Sequence, residues 1–436
     1  MASTPYESWS KQDLIAKLTK LELGEKERVP ISDSSRPSKA QKTFDFSSYP
    51  RRKIALKFCY SGWAYNGLAI QSDATPLPTV EGVLYEALAK ARLIDPDAGF
   101  EGCGWERCGR TDRGVSAGGQ VVSLWVRTSR KTEHSYTLLL NRILPLTIRV
   151  LAWSPVTPEF SSRFACTSRH YKYFFAPDGL DISRMVEAAN LLVGEHDFRN
   201  FCKLDPAKQL TTYRRRIVSA DINSVSDSAT GMHVLDLVGS AFLYHQVRHI
   251  MAILFLVGTG LEPPSIVTSL LNVEAGIGDP ALPVVDTKPE YQMADALPLM
   301  LYECHYAPGA VEWQIDEEVE TETDALAPSG AGLHHQLHSR HARSDMYATL
   351  NRAFLNAAAV HHAPRTRLLP LTTTGFVPDG RTPINIPLGG GDFRRSVKYL
   401  PLLERPRGEH FEVVNERWRL GKGARREERK RAAEDE

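Results

Sequence analysis

One short stretch of this 436-residue chain combines residue types that chemistry requires. Between Gly109 and Gly114, two arginines flank Thr111 and Asp112. Glycines on both sides allow the chain to turn sharply and present the carboxylate. An ionised aspartate is a competent nucleophile or general base, because its reactive form predominates at neutral pH. The same residues also suit a plain surface turn whose charges pair with one another.

A single arginine stands in an otherwise apolar segment further along the chain. Residues 242–257 have the length of a helix, are followed by Gly258 and carry Arg248 as their only charge when histidines are neutral. A guanidinium in apolar surroundings is costly unless it is neutralised. Two interpretations remain open: Arg248 extends to solvent, or it pairs with a buried carboxylate.

Aromatic and basic side chains alternate in the second half of residues 160–175. This stretch contains Arg169, Tyr171 and Tyr173. Such a strand could stack bases and hold phosphates, but the pattern is equally typical of an ordinary amphipathic strand.

A zinc site must be considered because histidines and cysteines lie near these segments. His245 and His249 are four residues apart, and Cys103 and Cys108 precede Asp112. A Cys-x4-Cys spacing is not the usual tight zinc knuckle. We therefore predict core histidines, inert thiols and no metal.

Composition indicates a globular protein without a strong charge bias. The chain is 42% hydrophobic and 24% charged, with a formal net charge of +1. A nucleic-acid partner would therefore need a local basic surface. The six scattered cysteines, with no signal-peptide pattern and no long apolar run at the start, predict a reduced intracellular compartment and no membrane partner.

Short strands mixed with separate helices indicate an α+β fold. Alternating or apolar runs predict strands near 54–60, 121–126, 149–153, 217–222 and 232–238. Helical spacing predicts helices from Thr79 and over 138–144, 183–193 and 242–257.

These elements divide the chain into five predicted regions. They are an N-terminal helix and linker (1–48), a first half of the catalytic domain with the Asp112 stretch (49–165), a second half (166–308), an acidic and low-complexity linker (309–345) and a C-terminal extension with a basic tail (346–436). Residues 312–324 hold seven acids and no base, which is typical of a solvated linker. Residues 417–431 hold eight Lys or Arg against two Glu, which suits a solvated helix, an RNA-binding arm or a nuclear address.

Residues 109–117 resemble the signature of the TruA-type tRNA pseudouridine synthases, Gly-Arg-Thr-Asp-x-Gly-Val-x-Ala, at every fixed position. Arg169, Tyr171 and Tyr173 fill a second family motif, a basic residue followed by two spaced tyrosines. Residues 242–248 match a third, Phe-Leu-x-His-x-Val-Arg. The resemblance covers roughly residues 52–306, with Leu68 standing where most members carry tryptophan.

This resemblance implies both a fold and a set of site residues. The implied fold has two RRM-like α/β halves that form one continuous, mostly antiparallel sheet flanked by helices, with the catalytic cleft between them. Asp112 is then the catalytic residue and Arg248 its ion-pair partner. Tyr171 would contact the target base, Arg110 would act as a wedge, and Leu301 would pack against the base.

The implied reaction isomerises uridine in RNA. The bond from N1 to C1′ breaks, the uracil turns, and C5 bonds to C1′. Because no atom enters or leaves, no cofactor is needed. The target nucleoside must leave its stack, at a cost of about a few kcal/mol. Three roles for Asp112 remain open: attack on the sugar, attack on the base, or removal of the 2′ proton.

The chain resembles the eukaryotic branch that modifies tRNA positions 38 and 39 more than its bacterial relatives. We therefore expect a tRNA partner, a homodimer, and a location in nucleus and cytoplasm. Alternatives are the same chemistry at other tRNA or mRNA sites, or a catalytically silent RNA-binding protein. A glycosidase would require a second acid near Asp112, which the sequence does not offer.

Overall fold

The computed structural model describes residues 44–71, 74–129, 133–225, 231–276, 279–315, 332–362, 384–396 and 398–426, together with 428 and 431. The predicted N-terminal helix and residues 316–331 of the acidic linker lie outside these residues, as does the end of the basic tail. No helix in the described part of the chain is long and apolar enough to cross a bilayer.

A nine-stranded sheet forms the centre of the protein. Its strands are β1 (Arg51–Tyr60), β2 (Glu106–Arg107), β3 (Ser116–Arg127), β4 (Ile148–Pro155), β5 (Cys166–Phe175), β6 (Gly194–Asp197), β7 (Arg214–Ser224), β8 (His233–Gly239) and β9 (Leu299–Tyr306). The order across the sheet is β4-β1-β3-β9-β5-β8-β7-β6, and β2 pairs with β3 beside this path.

The sheet consists of two halves that meet at one short junction. Strands β4, β1 and β3 form the first half, and the strands from β9 to β6 form the second. At the junction, β3 runs parallel to β9, with Ser116 opposite Met300 and Ala117 opposite Leu301. The other pairings among the described strands are antiparallel. The expected α+β class with one continuous, mostly antiparallel sheet is confirmed.

Helices and short turns flank this sheet. The helices are α1 (Val80–Lys90), α2 (Gly99–Gly102), α3 (Tyr136–Ile143), α4 (Ile182–Asn190), α5 (Gln246–Gly258), α6 (Ile266–Leu271), α7 (Leu333–Ala359) and α8 (Phe411–Trp418). Helix α1 begins where the sequence predicts, because the Thr79 side chain accepts a hydrogen bond from the Gly82 amide.

Helix α5 is the central helix of the second half. Each of its residues except Arg248 is buried, so the predicted all-round apolar character is confirmed. The predicted start at residue 242 is wrong, because the helix begins at Gln246. The preceding residue, His245, has a φ of 61° and therefore cannot continue a helix.

The C-terminal region folds back onto the second half of the sheet. A hairpin of β10 (Ile384–Gly389) and β11 (Asp392–Ser396) precedes Leu402, which is fully buried. The buried carboxylate of Glu262 accepts a hydrogen bond from the Leu402 amide, at 2.7 Å, and another from the Tyr399 hydroxyl. A buried acid of the second half thus receives its hydrogen bonds from residues about 140 positions later in the chain.

Part of the predicted linker over 309–345 is helical. Helix α7 begins at Leu333 and its residues are all exposed or half-buried. From Leu333 to Ala359 the sequence contains Ala, Leu, Gln and Arg and no glycine or proline, so helix propensity outweighs the low-complexity composition.

Candidate active site

The Asp112 stretch forms a tight loop that enters β3 beside the junction of the two halves. Gly114 has a φ of 86°, and the Val115 amide donates to the Asp112 carbonyl at 3.1 Å. Gly67 passes close beneath the loop, because an added Cβ there would lie 3.2 Å from the Thr111 carbonyl oxygen. These glycines therefore permit a turn and a close approach that side chains would obstruct.

Polar groups from neighbouring segments fix the backbone of this loop. The Tyr60 hydroxyl lies 2.6 Å from the Thr111 hydroxyl, and the Leu68 amide donates to the Thr111 carbonyl at 3.2 Å. The Gln120 side chain donates to the Gly109 carbonyl at 2.9 Å. Burial raises the pKa of Tyr60 far above its usual range, so its hydroxyl stays protonated.

Arg169 connects the loop to the second half of the sheet. Its guanidinium donates to the carbonyls of Cys108 at 2.9 Å, Ser240 at 3.0 Å and Arg163 at 3.3 Å. The planar guanidinium suits this task because its five N–H donors point in fixed directions. The basic residue of the second motif thus contacts protein backbone at the base of the loop.

The Asp112 carboxylate contacts a histidine. His245 Nε2 lies 3.3 Å from Asp112 Oδ2, and the side chains are 8% and 27% exposed, respectively. The positive φ of His245 places its ring at this position, just before α5 begins. Its Nδ1 is buried and has no hydrogen-bond partner among the described residues. Nε2 is therefore the nitrogen of the ring that engages a neighbour, and that neighbour is Asp112.

The predicted ion pair between Arg248 and Asp112 is not formed in the described part of the chain. Arg248 Nε instead donates to the Ala294 carbonyl at 2.8 Å. His245, three residues earlier, contacts the carboxylate instead. Asp112 is also partly exposed, so it does not occupy the dry pocket that the ion-pair hypothesis requires.

Tyr171 and Leu301 form a wall beside the loop. They lie opposite each other on β5 and β9, and Leu301 also pairs with Ala117 at the junction. The Tyr171 ring meets Phe242 edge to face at 4.9 Å between centroids. Burial is the main cause of a strongly raised pKa for Tyr171, and the Asp112 charge adds to it. The structure thus brings Asp112, Tyr171 and Leu301 together, while Arg110 is exposed on the same loop.

The histidines and cysteines considered for zinc do not assemble a metal site. Within the described ranges, no three His, Cys, Asp or Glu side chains are arranged to hold a metal ion. His249 is buried, its Nε2 lies 3.4 Å from Lys288 Nζ, and its pKa is lowered to about 2 mainly by burial. It is therefore a neutral core histidine at physiological pH.

Sequence reasoning missed two residues of this site. His245 was assigned to the core, although it occupies the histidine position of the third motif. Arg169 was considered as a phosphate contact, as part of an amphipathic strand and as the basic residue of the second motif, but not as an anchor of the loop. The position of His245 in the third motif was the available signal for it. For Arg169, the sequence gives no indication that carbonyls of three separate segments converge on one guanidinium.

Comparisons with known proteins agree on one family. A family model described as tRNA pseudouridine synthase matches residues 188–307. The tRNA pseudouridine(38/39) synthase of Saccharomyces cerevisiae is 39% identical over 448 residues, which cover 95% of this chain and 91% of the yeast protein.

Other relatives match over shorter spans. The tRNA pseudouridine(38/39) synthase of Homo sapiens is 40% identical over 333 residues, covering 70% of this chain and 66% of the human protein. The tRNA pseudouridine synthase A of Methanothrix thermoacetophila is 36% identical over 234 residues, covering 53% of this chain and 79% of the archaeal protein.

Replacing the central guanidinium tests how the loop is held. Arg169→Met retains side-chain length but removes the three hydrogen bonds to carbonyls. We expect amide hydrogen exchange across residues 108–117 to accelerate about tenfold or more, since each hydrogen bond from a charged group contributes roughly 1.5–3 kcal/mol. Arg163→Met, which removes a side chain that stacks on exposed Phe164, is the matched control. Equal exchange in the two variants would contradict the anchoring role.

Proposed function

We propose that this chain, which belongs to the TruA-type tRNA pseudouridine synthase family, converts uridine to pseudouridine at positions 38 and 39 of the tRNA anticodon stem-loop. The observation that carries the proposal is the Asp112 carboxylate at the sheet junction, partly open to solvent and set beside Tyr171 and Leu301. The names of the yeast, mouse and human relatives support the choice of positions.

The geometry supports a specific division of labour. Asp112 is the catalytic residue, and its carboxylate faces the sugar and base of an extruded uridine. Tyr171 and Leu301 supply an apolar wall on which uracil can stack after it leaves the RNA helix. Arg110 is exposed on the same loop and fills the gap in the base stack. The positions of these residues beside one loop make the proposal chemically coherent.

His245 orients the catalytic carboxylate. The contact of His245 Nε2 with Asp112 Oδ2, at 3.3 Å, fixes one oxygen of the carboxylate and leaves the other free for the substrate. Arg248 then has a different function from the one the sequence suggested. Through its bond to the Ala294 carbonyl, it holds the segment whose Ala296 side chain packs beneath Gly114.

A catalytically silent RNA-binding protein on the same scaffold is the second candidate. It would not need a carboxylate whose orientation is fixed by a strained histidine. Residues with positive φ other than glycine cost free energy and tend to occur at functional sites. The positive φ of His245 next to Asp112 therefore favours the enzyme.

A homodimer that recognises the L-shape of tRNA completes the proposal. Helix α7 supports it, because its second half exposes Met346, Tyr347, Leu350 and Phe354 at helical spacing. A second copy of the chain would cover this apolar stripe. We also propose a location in nucleus and cytoplasm, which the six free cysteines support.

The proposed activity is tested by mapping pseudouridine in unmodified tRNA after incubation with the purified protein alone. We expect conversion at positions 38 and 39 without any added cofactor. Asp112→Asn keeps the shape of the side chain but removes its charge, so it should abolish conversion and leave tRNA affinity largely intact. Turnover by this variant would contradict the catalytic role of Asp112, and conversion only at other positions would contradict the site assignment.

The orienting role of His245 is tested by comparing two substitutions, each of which must adopt the same positive φ at position 245. His245→Ala removes the ring nitrogen that contacts Asp112, and we expect the conversion rate of bound tRNA to fall about ten- to a hundredfold. His245→Gln places an amide N–H near the position of Nε2 and should restore much of that rate. The dissociation constant for tRNA should change little in either variant. Equal rates for Ala and Gln would show that the side-chain donor is irrelevant.

The dimer is tested by sedimentation velocity at micromolar concentration. We expect the mass of two chains for the wild type and of one chain for Leu350→Glu, because a charge would enter the apolar contact. A monomeric wild type would refute the homodimer.

A further inference from the structure

Residues 203–210, the Lys203 loop, place two lysines around Tyr244, an exposed tyrosine of the segment before α5. Tyr244 is 37% exposed and immediately precedes His245, whose ring centroid lies 3.8 Å from that of Tyr244. The Nζ atoms of Lys203 and Lys208 lie 5.7 and 5.1 Å from the centre of the Tyr244 ring. One face of the site thus continues directly into a small basic surface.

The positive charge of this surface is only partly neutralised. Lys208 lies 3.2 Å from the Asp205 carboxylate, in a pair whose lysine is 44% exposed. In the described part of the chain, Lys203 forms no ion pair. Exposed pairs of this kind contribute little, so both ammonium groups remain available to an anion.

The protein holds this loop rigidly at both ends. At its start, the Lys203 amide donates to the Tyr244 carbonyl at 2.9 Å, and Lys288 Nζ donates to the Cys202 carbonyl at 3.1 Å. Lys288 is mostly buried, and burial lowers its pKa. The hydrogen bond from this buried lysine fixes the start of the loop.

The other end of the loop is fixed by the C-terminal region. The Gln209 side chain donates to the Asn415 carbonyl at 3.1 Å, and Asn415 Nδ2 donates to the Leu210 carbonyl at 3.0 Å. Asn415 lies on α8, whose Phe411 ring packs on Tyr213 at 5.0 Å between centroids. The C-terminal extension therefore sets the position of a loop that flanks Asp112.

We propose that Lys203, Lys208 and Tyr244 form a subsite for the RNA phosphate next to the target uridine. Two ammonium groups and a phenol hydroxyl supply the donors that a phosphodiester accepts. When a nucleotide is extruded, its flanking phosphates must follow the base out of the helix, and this surface lies next to the carboxylate that receives it. The inference rests on the proposed function and adds the contact that holds the distorted backbone.

The test combines protein and RNA changes on one anticodon stem-loop. Lys203→Met and Lys208→Met remove one charge each and keep the chain length. Each should weaken RNA binding and lower the slope of log affinity against log salt by roughly 0.7 to 0.9. Lys90→Met, at the exposed end of α1, is the control and should leave the salt slope unchanged.

Neutral methylphosphonates placed one at a time around the target uridine then locate the contact. For the wild type, we expect one such RNA to bind more weakly, with the same salt-slope decrease as the lysine variants. The double variant Lys203→Met/Lys208→Met should bind that RNA and the unmodified RNA equally well. The subsite would be overturned if the affinity losses from the lysine and methylphosphonate changes were additive. It would also be overturned if Lys90→Met removed the effect of the methylphosphonate in the same way. Absence of pseudouridine formation by the wild type would refute the proposed function, whatever the binding data show.

Discussion

The site depends on the hydrogen bonds that one guanidinium makes across the junction of the sheet. The direct contact between the two halves is short, because β3 and β9 pair at only two positions. Arg169 reinforces this junction by binding the carbonyl of Cys108, at the base of the Asp112 loop, and that of Ser240, just before the segment that leads to α5. A shift between the halves would break these bonds and separate Asp112 from His245. The geometry of the carboxylate is therefore a consequence of how the two halves are joined.

Burial determines which groups near the site carry charge. It keeps Tyr60 protonated and His249 neutral, so both act as hydrogen-bonding supports. The exposed charges beside the site include those of Arg110, Arg113, Lys203 and Lys208, and Asp112 is partly exposed. The buried groups that hold the site are neutral, and the basic groups are exposed. This arrangement suits a polyanionic substrate, because the basic groups can pair with RNA phosphates.

Much of the fold could be predicted from the sequence, since alternating and helical spacing located the main strands and helices. The start of α5 could not, because nothing in the apolar pattern shows that His245 adopts a positive φ, which few residues other than glycine do. The family resemblance implied Arg248 as the partner of Asp112, whereas the structure places His245 beside the carboxylate. The docking of the C-terminal region was equally hidden, because Leu402 and Tyr399 become necessary only when Glu262 is known to be buried. Hydrogen bonds between a buried carboxylate and residues far along the chain produce no periodic pattern in a sequence.

A structure of the Asp112→Asn variant bound to an anticodon stem-loop with uridine at position 39 would test the central claim most directly. The account predicts that the uridine is extruded, its uracil lies against Tyr171, and its C1′ atom lies within about 3.5 Å of the substituted side chain at position 112. It also predicts that His245 remains in contact with that side chain. A uridine still stacked in the stem, or one bound with its sugar turned away from position 112, would contradict the account.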